Sequence, residues 1–332
     1  MYRERVQAVL FKLETTSGSD AIPVGTTDAV RTKGLPVIEV DNLEANPRDD
    51  VQTGVLSGAD SAQAAGWYGK IDLTIELIAN YSGAPSATVL PFYDALWQVC
   101  GLARISDFTV GSEFHRYVTI DQGMPTGTLY AFCAGKLVKL VGCCATAKIA
   151  ANVNQPATVT FSVTGKCIQI QEQGLPTLAF PEVVAGNCIP SVWNGTVSNI
   201  GSWLSTSTDP LMMLTANVDL GNVISDLPSA GANDGLVGYA ITDRAVTEEL
   251  SFYVPNLTTF DPFAGTRSPY GGNPTAFVLG TIKNTRITVT TRWKPKKPTF
   301  QAKNGMRTYQ ITGDCKIGGG LTSGREIEVM FN

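Results

Sequence analysis

Histidine is nearly absent: the 332 residues contain one, His115. A single imidazole excludes a zinc site built on several histidines and an H-E-x-x-H helix. Any Ser-His-Asp triad would have to use that residue, and no G-x-S-x-G elbow accompanies it. Its context, Phe114-His115-Arg116-Tyr117-Val118, favours a surface or satisfied role over a base. Charge is also scarce, at 16% of residues with a net −4, so no broad positive field exists to bind nucleic-acid backbones. No apolar run approaches the roughly 20 residues that span a bilayer as a helix. There is no G-x-x-x-x-G-K-[ST] loop and no strand-to-helix G-x-G-x-x-G, and Gly318-Gly319-Gly320 reads as a tight turn or loop. The seven cysteines are Cys100, Cys133, Cys143, Cys144, Cys167, Cys188 and Cys315. Their odd number, the lack of C-x-x-C and their apolar settings suit buried small hydrophobes better than disulfides or a metal site. Carboxylates are scattered without a pair that can be placed in a cleft. The expectation is a chain that is not an enzyme and that needs no cofactor or metal.

Glycine, threonine, serine and β-branched residues are what the chain has in quantity, a composition suited to many short strands and turns. The stretch Thr128–Ile170 shows it best. Leu129–Ala134 alternates, Gly135-Lys136 turns the chain into Leu137–Cys144, and a third run Ala145–Ala150 reaches the turn Asn152–Pro156. In Ala157–Ile168, Val159, Phe161 and Val163 face one way while Thr158, Thr160, Ser162 and Thr164 face the other, the period of a half-buried strand. Consecutive runs with short turns predict an antiparallel meander.

Elsewhere, Val6–Glu14 predicts a first strand, Thr15–Thr27 a loop and Leu35–Val40 a second strand. Asp41–Gly66 is small and polar, a loop whose length calls for a role at an interface. Trp67-Tyr68 opens the strand Lys70–Ala79, with Ile71, Leu73, Ile75 and Leu77 on one face. Pro91–Ala103 is the best helix candidate, because Phe92, Leu96, Val99 and Cys100 fall at helical spacing. Phe114–Ile120 is a further strand. Gln173–Ser202, rich in Gly and Pro, marks a boundary. Beyond it the order repeats: strand Val218–Ile224, loop Ser225–Gly238 returning at Tyr239, and strand Ala245–Val254, with Phe260–Gly265 in place of the helix. Strands Phe277–Thr291 and Met306–Ile317 then flank the basic turn Trp293–Pro298, and Ile327–Phe331 follows. This predicts a mainly β protein of two tandem domains, 1–175 and 204–332, joined by a linker at 176–203. The basic turn reads as a solvated hairpin. Glu113, Asp121, Asp243 and Glu248 are candidates for a negatively charged channel lining or, equally, for any strand's solvent face.

Several of these segments together resemble the tail tube (major tail) proteins of long-tailed bacteriophages. They are Val9–Asp20, Asp94–Ala103, Gly135–Leu140 with its following Asn152–Gly165 strand, and Val218–Arg244, in the family's order over most of the chain. The patterns are loose. The resemblance implies antiparallel β-sandwich or barrel domains with one short helix packed on the first. It also implies a structural subunit that assembles into stacked rings, the conduit through which DNA leaves the capsid without being gripped. Its partners would be further copies of itself, a tape-measure protein and a tail terminator, with no membrane. The setting would be the virion tail, assembled in the cytoplasm of the host bacterium, and Met1–Leu10 does not read as a signal peptide. If both domains occupy ring positions, three chains make a pseudo-six-fold ring, and the rival is a true hexamer. The long loops and their aromatic returns give the expected inter-ring contact residues: Asp60, Trp67, Tyr68, Asp234 and Tyr239. The alternatives from other classes are a subunit of a type VI secretion-like tube and a non-catalytic carbohydrate-binding β-sandwich.

Overall fold

The computed structural model describes residues 7–44, 64–78, 84–91, 93–180, 199–200, 213–254, 261, 263, 273–280, 286–316 and 326–332. The protein is mainly β, antiparallel throughout the pairings described, with one short α-helix among the elements described. The first stretch holds β1 (Ala8–Leu13), β2 (Ala29–Val30), β3 (Ile38–Glu44), β4 (Ala64–Glu76), α1 (Asp94–Val99), β5 (Leu102–Asp107), β6 (Phe114–Thr119), β7 (Gly127–Cys133), β8 (Lys136–Asn152) and β9 (Thr158–Glu172). Later come β10 (Asn199–Ile200), β11 (Met213–Asp219), β12 (Asn222–Pro228), β13 (Leu236–Arg244), β14 (Thr247–Tyr253) and β15 (Asn273–Leu279). β16 (Ile287–Pro295), β17 (Thr299–Lys303), β18 (Met306–Cys315) and β19 (Ile327–Phe331) complete the strands.

The meander β7–β8–β9 forms as its alternation demands. Val159, Phe161 and Val163 are buried, while the threonines and serine between them are half-exposed. Ala134 and Gly135 both take positive φ, the two-residue turn whose twist matches its strands. The runs 137–144 and 145–150 are one strand rather than two. A bulge at Gly142, whose φ is +60°, bends β8 without ending it. The carboxylate of Glu14 holds this bulge by accepting from Gly142 N at 2.8 Å, together with Gly18 N, Thr126 and Thr128.

The bend lets β8 serve two neighbours along one edge. Its first half pairs with β7 and its second half with β11, while β9 follows the other edge. From β9 the sheet extends to β4 and β3, and from β7 to β1 and β2. Through β11 it continues to β14, β18 and β17. A second layer, β5–β6–β19–β16–β15, joins the first where β16 meets β18. The stretches on either side of 176–203 therefore share sheet pairings and one hydrophobic core.

Helix α1 closes that core. It is shorter than the expected Pro91–Ala103: Tyr93 in the left-handed region precedes its first turn, and Gly101, at φ +72°, ends it. Leu102 consequently opens β5, a strand not expected from the sequence. Trp97 packs edge-on against Phe161 of β9 at 5.0 Å and Phe331 of β19 at 6.1 Å, with Tyr117 of β6 beside it. One indole thus touches both layers, and burying it fully stabilises their packing by about 2–3 kcal/mol.

Three further expectations change. Strand β3 runs past Val40 to Glu44 and β4 begins at Ala64, so the ends of the Asp41–Gly66 loop are paired strand; 45–63 lie outside the described residues. Leu220-Gly221 interrupts the expected Val218–Ile224 strand, because Gly221 takes φ +57° with its Cα against the Ala245 carbonyl. Half of Ser225–Gly238 is not loop but the hairpin β12–β13, its tip confined to 229–235. Phe277–Thr291 is two strands, β15 and β16. Most of Phe260–Gly265 and all of Cys188 lie outside the described residues.

Candidate assembly surface

Hairpin β12–β13 is a two-stranded sheet of its own, laid over β4, β8 and β9. Its base is fixed by two polar residues. Asn222 donates its amide to the Cys100 and Ala145 carbonyls, both at 2.9 Å. Arg244 donates to Asn222 Oδ1 at 3.0 Å and to the Gly101 and Ile120 carbonyls, and its guanidinium lies 3.8 Å from Glu326. These bonds tie the hairpin to the helix end, to β6 and to the middle of β8.

Nearer the tip three of the expected contact residues, Tyr68, Asp234 and Tyr239, come together. Asp234 accepts from Lys166 Nζ at 2.9 Å, and the same ammonium donates to the Leu236 carbonyl. Lys166 holds the Asp234 carboxyl below its ordinary range by that hydrogen bond. Leu236 is buried directly over Gly66. Tyr239 and Tyr68 lie with ring centroids 6.4 Å apart, and Cys144 Sγ donates to the Tyr239 carbonyl. Burial pushes the Tyr239 hydroxyl up to about 12. Tyr68 and Tyr239, read from the sequence as equivalent positions of two repeats, are thus neighbours. Tyr239, 9% exposed, faces inward and helps to seat the hairpin. Trp67 points the other way and is 49% exposed, and Asp60 lies outside the described residues. Outward on the hairpin stand Val223, Leu227 and Val237, with a Ser225–Thr242 hydroxyl pair between the strands. Sequence reasoning did not single out Lys166, Asn222 or Arg244. Their partners Asp234, Cys100 and Gly101 lie 68, 122 and 143 residues away in sequence, which gave no local signal.

The remaining candidates sort by burial. His115 is buried: its Nε2 donates to the Val89 carbonyl at 2.9 Å, so neutral Nδ1 accepts from Ser106 Oγ at 2.8 Å. Desolvation lowers its pKa and favours that neutral form. Glu248 does not face solvent. It is buried between layers, where Thr275 and Thr291 donate to its Oε2, and burial raises its pKa to about 7. Asp121 and Asp243 are exposed, and Glu113 is half-exposed and accepts from Gly111 N. In the basic turn, Trp293 and Pro295 belong to β16 and are buried, whereas Lys296, bound to Asp314 at 2.6 Å, and Lys297 are exposed. The six described cysteines are free, five of them buried, and burial raises the Cys144 thiol to about 11. Among the described residues no group of three or more His, Cys, Asp or Glu is placed to hold a metal ion. No helix among them is long and apolar enough to cross a membrane. No protein-family model matches the chain, and no curated protein matches it significantly.

Proposed function

We propose that this chain is the structural subunit of a bacteriophage tail tube, assembling into stacked rings around a conduit for DNA. The observation that carries this reading is architectural. A large antiparallel sheet ends, among the described residues, in strands paired on one side only: β2, β3, β5, β10 and β17. Strand edges left open invite pairing with another chain, and a protein built to assemble uses them. Helix α1 and the docked hairpin stiffen the sheet, as the wall of a conduit requires. In this role the two tandem β units, residues 1–175 and 204–332, each occupy a position in the ring. The outer face of β12–β13 and Trp67 meet the next ring. A tape-measure protein and a terminator set the tube's length, and DNA passes without specific contacts.

Negative-stain microscopy of the concentrated, purified protein tests the proposal. Rings or tubes of uniform bore are expected. A strictly monodisperse monomer at high concentration rules the reading out.

A further inference from the structure

Two of the open edges are opposite in charge. Along β3, Ile38 and Val40 pack inward on the core while Glu39 and Asp41 are exposed. The span Leu35–Glu44 carries three carboxylates and no cation. It also exposes Leu35 and, at 71%, Val37. Lys70, opposite Glu39 on β4, forms no ion pair with it among the described residues. Strand β17 lies at the other end of the connected strands, bonded to β18 alone among the described residues, and each of its residues is exposed. The span Lys294–Arg307 holds five cations and no carboxylate, and it exposes Phe300 at 54% and Met306 at 56%. Asn304 and Gly305, both at positive φ, form the tight turn that holds β17 against β18.

A lone charged edge is ordinary protection against unwanted pairing. Here one edge is acidic with apolar side chains and the other basic with apolar side chains, and like edges repel while unlike edges attract. We propose that β17 of one copy pairs with β3 of a second copy, so that chains join head to tail. Main-chain bonds between the edges supply adhesion and the charges select the partner. The inference rests on the reading of the chain as a self-assembling subunit, and it names the two surfaces that join.

Two full-length variants test it: Glu39→Lys with Asp41→Lys, and Lys297→Glu with Lys303→Glu and Arg307→Glu. Each presents two edges of one sign, so each alone is expected to need about tenfold or more higher concentration to assemble than the wild type. A full-length variant that carries both sets of substitutions restores complementary edges in every chain and is expected to assemble near the wild-type concentration. Adding further substitutions does not repair a misfolded chain, so this restoration separates lost pairing from lost folding. Assembly of both single-edge variants at wild-type concentration overturns the inference. So does failure of the combined variant when circular dichroism shows it folded. A wild type that never assembles defeats the parent reading instead, which keeps the two failures apart.

Discussion

Glu248 carries a carboxyl between β14 and the facing β15–β16 pair, and both of its threonine donors bind the same oxygen. The other oxygen, Oε1, has no hydrogen-bond partner among the described residues. Desolvation therefore outweighs the two bonds, and the folded-state pKa rises from 4.5 to about 7. Above pH 4.5 the unfolded chain releases this proton while the folded chain still holds it. Stability then falls as pH rises from 4.5 to about 7 and levels off beyond. A shift of that size corresponds to about 3 kcal/mol. Glu248→Gln removes the dependence: urea unfolding is expected to give equal stabilities near pH 4.5 and a variant up to about 3 kcal/mol more stable at pH 8. A gap that does not widen with pH contradicts this. The sequence reading that set Glu248 on a channel lining or a solvent face missed a signal, because Val246, Leu250 and Phe252 share its face at period two and are all buried. His115 is parallel, on the inward face with Tyr117 and Thr119. What the sequence could not supply was the partner, since Thr275 and Thr291 come from strands 27 and 43 residues away.

Hairpin β12–β13 is the element whose docking decides whether the proposed inter-ring face exists. Gly66 is where it can be unseated. A Cβ there would stand 2.6 Å from Leu236 Cβ, a buried atom that is not the free end of a flexible side chain. Gly66→Val is expected to lift the tip, at a cost of about 1–3 kcal/mol in stability. Hydrogen exchange of the β12–β13 amides and proteolysis at 229–235 should accelerate while protection of β7–β9 stays as it was. Uniformly raised exchange across the sheet indicates instead that the hairpin is not a separable unit. The hairpin was hidden in the sequence because bulges at Val223/Ile224 and Leu227/Pro228 break its alternation, and Ser229–Gly235 reads as flexible chain. The meander was legible for the opposite reason. Its period-two pattern runs unbroken from Thr158 to Thr164, and one Gly turn marks the reversal. Helix α1 showed its core face correctly through Leu96, Val99 and Cys100, yet its length was overread, since nothing in Gly101-Leu102-Ala103 announces the change to β5. The Asn304-Gly305 turn was a strong hairpin signal, overlooked because the adjacent lysines drew the reading toward a solvated turn.

At the scale of the whole molecule, the placement of edges bears on symmetry. Within the chain, the first stretch meets the second through β8–β11 and β6–β19. The proposed joint between chains runs from β17, in the second stretch, to β3, in the first. Passing around a ring, first and second stretches then alternate, joined within a chain and between chains by turns. Six positions are filled by three chains if each stretch takes one. In the rival arrangement six chains line the bore with their first stretches and carry the second outside; β17 then has no β3 to meet along the ring. The two arrangements differ in what a single isolated ring weighs: three chains of 35.3 kDa or six. Native mass spectrometry of rings released from tubes is expected to give three. Six chains per ring would remove the argument that each stretch fills one position, while leaving the chain a tube subunit.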